Sequence, residues 1–136
     1  MDEQAHRRTF RGERAELAAV HRFAREALPP GCPVLADFLL LLDEVAANAV
    51  LHSDSGRPGG AFEVVIRHRA GVVRAEVHDA GPRRPPGTPL PPAWSQEAGR
   101  GLLLVSMLAR EWGTVALPHG RVVWFEVADH HRLRAA

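Results

Sequence analysis

Residues 39–53, LLLLDEVAANAVLHS, constrain the fold more than any other stretch of the chain. Glu44, Asn48 and His52 recur every four residues, and a helix turning about 100° per residue keeps all three within roughly an 80° arc. Phe38, Leu41, Leu42, Val45 and Ala49 follow the i, i+3, i+4, i+7 spacing of a separate apolar stripe. Such a helix needs a core on one side and can present an acid, a carboxamide and an imidazole on another. The rest of the chain has to supply the layer that the stripe packs against.

Two pairs of alternating segments do so. Phe62, Val64 and Ile66 recur at every second position in 61–69, and Val73, Ala75 and Val77 do the same in 72–79. Ala70 and Gly71 between them predict an antiparallel hairpin. Residues 112–117 and 121–127 predict a second hairpin across 118–120. Upstream, residues 8–11 form a short edge strand, and 13–28 carry Leu17, Val20, Phe23, Ala24 and Leu28 near helical spacing. Pro29, Pro30, Gly31 and Pro33 end that helix, since proline cannot continue the hydrogen-bond ladder, and the next begins near Pro33 or Val34. It frays near Ser53, where SDSGRPGG clusters turn residues. This order predicts one α+β domain over residues 1–136: a two-layer α/β sandwich with helices on one face of a mixed, mostly antiparallel sheet.

Six of the 11 prolines fall in residues 81–92. Neither a helix nor a sheet ladder tolerates that density, so residues 81–100 are expected to form a long surface loop of the kind that often serves as a lid. A short helix follows from Gly101 to about Arg110, and residues 128–136 form a loose tail.

Composition removes several chemistries. All 17 basic residues are Arg, which excludes a Walker lysine, a Schiff-base lysine and the lysine of eukaryotic-type protein kinases. Cys32 stands alone, so there is no intrachain disulfide and no cysteine metal site, and a reducing cytoplasm is the expected home. The charged N-terminal residues lack the apolar core of a signal peptide, and the longest apolar runs are too short to span a bilayer. A net charge of +1 gives no nucleic-acid footprint. Arg67, Arg69 and Arg74 lie on a hairpin without interleaved aromatics and read as a solvated edge. His68, His78, His130 and His131 lack metal-ligand spacing.

Three short elements converge on one chemistry. The first is the Glu44, Asn48, His52 row. In the second, HDAGP, Asp79 ends a strand where a carboxylate can accept from an exocyclic amine, and Gly81 lets a flat ring approach the backbone. In the third, GRGLLLV, Gly99, Arg100, Gly101 and Leu102 open a helix whose free N–H groups favour a phosphate. Together they describe a nucleotide site.

With these motifs the sequence resembles the GHKL ATPase superfamily, in which EVAANAVLHS is similar to the N box, HDAGP to the first glycine box and EAGRGLLLV to the second. The nearest resemblance is to the small bacterial anti-sigma-factor serine/threonine kinases. It implies ATP and Mg²⁺ as cofactors, with Asn48 as the metal ligand and Glu44 as general base toward the attacking hydroxyl. It further implies that Asp79 accepts from the adenine amino group, that Gly81 makes room for the ring, and that Gly99, Arg100, Gly101 and Leu102 close around the phosphates. His52 either orients a phosphate or caps the helix. The implied partners are an antagonist protein and a sigma factor, with a homodimer as the implied assembly. The chain departs from the family pattern at Arg83, where a glycine is usual, and at Val122, where a hydroxyl residue often supports the base-reading Asp. A regulatory module that sequesters its partner without catalysis is the alternative these departures leave open.

Overall fold

The computed structural model describes residues 3–81 and 107–128. Most of the expected lid and tail, and residues 101–106 of the expected short helix, lie outside the described residues; Met107 and Leu108 are helical.

The chain opens with β1 (Gln4–Arg11), makes a 3₁₀ turn at Arg14–Glu16, and enters α1 (Leu17–Ala27) and α2 (Leu35–His52). A second 3₁₀ turn, Asp54–Gly56, leads to β2 (Ala61–Arg69) and β3 (Val72–Asp79), and the described chain closes with β4 (Glu111–Leu117) and β5 (Gly120–Ala128). The strand order is β1-β2-β3-β5-β4. All four neighbouring pairs run antiparallel, so the described sheet is purely antiparallel rather than mixed. The connection from β1 to β2 explains why. A single crossover helix would return the chain to its starting end and give a parallel pair, whereas two helices leave it at the opposite end.

Local chemistry fixes the element ends. Ala70 (φ 49°) and Gly71 (φ 85°) form a two-residue turn with both central residues in the left-handed region, matched to the twist of the β2–β3 hairpin. Helix α1 stops at Leu28, whose N–H donates to the Ala24 carbonyl before Pro29 and Pro30 redirect the chain. The first helical segment does not begin at residue 13 as its spacing predicts. Glu13 is extended, and the Glu16 carboxylate accepts from the Arg11 N–H at 3.2 Å, holding the chain in a tighter turn until Leu17.

Alternation along the strands sends Val73, Ala75, Val77 and Asp79 to the same face as Val123, Phe125 and Val127. That face packs against both helices. Phe38 of α2, fully buried, meets Phe125 at a ring-centroid distance of 5.5 Å, and Phe10 bridges Phe62 and Phe23 at 5.7 and 5.8 Å. The apolar stripe read from the sequence is this interface: Phe38, Leu41, Leu42, Val45 and Ala49 are all in the core. Among the described residues no helix is long and apolar enough to cross a membrane.

Candidate functional site

Glu44 and Asn48 lie in the second half of α2, both half-buried, and His52 is its exposed last residue. The helix end is closed by Ser53 rather than by His52. The Ser53 hydroxyl donates to the Ala49 carbonyl at 2.6 Å and accepts from the Ser55 N–H at 3.0 Å. That leaves the His52 imidazole out of the side-chain bond that terminates the helix.

The same turn ties α2 to the end of β3. The Ala80 N–H donates to the Ser55 hydroxyl at 2.8 Å, and the Asp54 N–H donates to the Gly81 carbonyl at 2.8 Å. Ser53 and Ser55 are fully buried, so their hydroxyls stand in for backbone partners that neither element could offer the other. The C-terminal end of α2 and the Asp79 segment are thereby joined at one end of the sandwich. Sequence reasoning reads SDSG only as a turn; that its hydroxyls point inward becomes visible when the two elements are docked.

Asp79 is the centre of this end. Its side chain is 2% exposed. One carboxylate oxygen accepts from the Gly81 N–H at 2.7 Å, an Asx turn that Gly81 permits by adopting φ 87°. The other accepts from Arg121 through Nε at 3.3 Å and Nη2 at 3.1 Å. Arg121 is the direct cross-strand partner of Asp79 in the β3–β5 ladder. The strands also approach closely here: a Cβ at Gly120 would sit 2.3 Å from the Asp79 carbonyl oxygen, so only glycine fits.

This register corrects the reading of Val122. Val122 pairs with His78, one residue along, and so projects to the opposite face of the sheet from Asp79. The side chain beside the carboxylate is Arg121, which sequence reasoning missed because only the pairing register identifies it. Gly99, Arg100, Gly101, Leu102 and Arg83 lie outside the described residues.

Electrostatics around α2 are uneven. Burial pushes the Asp43 carboxyl above its ordinary value; His21, 3.8 Å away, opposes this and the neighbouring Glu44 adds to it. Among the described residues no three His, Cys, Asp or Glu side chains gather into a metal cage.

The arrangement sets a buried carboxylate, paired with Arg121, at the end of β3 and beside the C-terminal end of α2. No curated protein matches the chain at a significant level. The sequence profile of the histidine kinase-like ATPase domain family matches residues 5–127, a span from β1 almost to the end of β5. On that match, and on an α+β sandwich of the expected kind, the chain belongs to the histidine kinase-like ATPase domain family.

Proposed function

We propose that this domain is an ATP- and Mg²⁺-dependent serine/threonine protein kinase of the anti-sigma-factor type, which phosphorylates an antagonist protein and so regulates transcription in a bacterial cytoplasm. One observation supports the reading above others: the Ser53–Ser55 turn holds the Glu44 and Asn48 helix against the Asp79 segment. This supports a reading in which base recognition by Asp79 and phosphate chemistry on α2 act together.

In this reading Asp79 accepts from the adenine amino group, and Gly81 leaves its face clear. The carboxamide oxygen of Asn48 is a hard donor that suits Mg²⁺ alongside phosphate oxygens. Mg²⁺ held there would offset the negative charge of the phosphates. Glu44 accepts the proton of the Ser or Thr hydroxyl, that oxygen bonds to the γ-phosphorus, and the bond to the bridging oxygen breaks to release ADP. Phosphoserine or phosphothreonine on the antagonist and a protonated Glu44 are the immediate products.

Incubation with γ-labelled ATP, Mg²⁺ and candidate antagonists tests the proposal. Label is expected on a Ser or Thr of one antagonist, and Glu44→Gln should remove it while leaving ATP binding intact. If the parental protein binds an antagonist yet transfers no label, the domain acts as a sequestering module and the kinase reading fails.

A further inference from the structure

We infer that Arg121 is a second base-reading residue, donating to the ring nitrogen next to the amino group that Asp79 accepts. The inference rests on the nucleotide reading above and assigns a residue which that reading does not use.

Arg121 directs Nε and Nη2 at one oxygen of Asp79, at 3.3 and 3.1 Å. A guanidinium carries five N–H groups in a fixed fork, so three remain after these two are committed. The exposures are unequal: the Asp79 side chain is 2% exposed and that of Arg121 is 23%. The arginine therefore fixes the carboxylate with one edge and keeps donors within reach of a ligand. The oxygen that accepts from the Gly81 N–H carries only that one bond and keeps a second lone pair, so Asp79 can accept from a ligand without releasing Arg121 or the Gly81 N–H.

Acceptor and donor side by side on one face are the complement of a particular ligand edge. Adenine presents its exocyclic N6–H donor directly beside the N1 acceptor. Asp79 with Arg121 matches that order with protein atoms alone. The β3–β5 register makes the match durable, because Asp79 and Arg121 face each other across the ladder and Val122 points away. The adjacent Gly120 has no side chain to intrude, and a Cβ there would already strike the Asp79 carbonyl.

A purely structural arginine, present only to neutralise Asp79, gives a different result when the ligand atom is changed. We would measure dissociation constants of the full chain for Mg-ATP and for the Mg complex of 1-deaza-ATP, in which CH replaces N1, by titration calorimetry. The parental protein should prefer ATP by about 10-fold or more, the scale of one hydrogen bond from a charged donor. Arg121→Leu should bind both nucleotides with nearly equal affinity, since the coupling in this cycle isolates the contact from general loss of fold. Arg121→Lys, which keeps the charge beside Asp79 but not the fork, guards against a leucine variant that fails to fold; it too should lose most of the preference. An unchanged preference in either folded variant, or none in the parental protein, overturns the assignment while leaving the nucleotide site standing. Absence of any ATP binding by the parental protein overturns both.

Discussion

On the helix-facing side of the sheet, Asp79 meets one arginine and one backbone N–H; on the opposite side, Glu76 meets Arg74 at 3.0 Å, His78 at 3.2 Å and Arg67 at 3.3 Å. The outer group extends further, through Arg67 to Glu3 and through Arg74 to Glu126, and Arg74 lies over the Trp124 ring at 4.1 Å. Burial alone would push the Glu76 carboxyl up, but hydrogen bonds from His78 and Arg74 and the charges of Arg67 and Arg74 outweigh it and hold the group below its ordinary value. The most heavily paired acid in the described fold is therefore a structural one. Asp79 also accepts three hydrogen bonds, but they come from one arginine and its own following loop rather than from three side chains. Density of ion pairs marks the outer face as scaffold, and the inner end, where Asp79 has a single ion-pair partner, is the one the proposed function uses.

That contrast can be broken by exchanging single groups. The largest effect is expected at Glu44: replacement by Gln should lower phosphoryl transfer at least about 100-fold, the usual scale for loss of a general base, with the melting temperature nearly unchanged. Loss of stability without loss of transfer would make Glu44 part of the scaffold instead. Next comes Gly120→Ala, which sets a methyl against the Asp79 backbone; urea unfolding should show a loss of about 2–3 kcal/mol together with weaker ATP binding. Parental stability would mean that the strands separate there at little cost.

The outer face should answer in stability alone. Glu76→Gln should cost roughly 1 kcal/mol at neutral pH and leave the transfer rate at the parental level. The sign with pH follows from the lowered native value. The contribution of Glu76 is complete above the ordinary 4.5 and is lost as pH falls through the native value below it. A pH series of urea midpoints should therefore show a shallower acid decline in the Gln variant. Equal declines would remove Glu76 from the account of acid stability. The smallest effect is expected at Gly113→Ala, whose Cβ would approach the Trp124 indole at 3.0 Å, a side chain that can shift. A loss of about 0.5–1 kcal/mol, with ATP binding unaffected, would keep the outer face separate from the site.

How much of this was legible in the sequence differed by element. Alternation, broken at Val65 in β2 and at Val72 in β3, gave 61–69 and 72–79 the bounds that the structure has, because period-2 patterns end where the turn residues Ala70 and Gly71 begin. Strand β1 extends four residues further upstream than predicted, from Gln4, since an edge strand rich in polar residues has too little buried surface to show a period. Glu44, Asn48 and Asp79 were readable as types at spacings. Arg121 was not, because its role depends on which β5 residue faces Asp79, and a slip of one position substitutes Val122 on the wrong face. Ser53 and Ser55 were hidden for a related reason: a buried hydroxyl and an exposed turn hydroxyl look alike until α2 and β3 are placed together.

The proposed function requires that a nucleotide be read at Asp79. Thermal melting of the parental protein and of Asp79→Asn, each with and without millimolar Mg-ATP, tests it most directly. The account predicts a rise for the parental protein, corresponding to about 2.7 kcal/mol when the ligand is at 100 times its dissociation constant, and little or none for the variant. Equal rises in the two proteins, or no rise in the parental one, would contradict it.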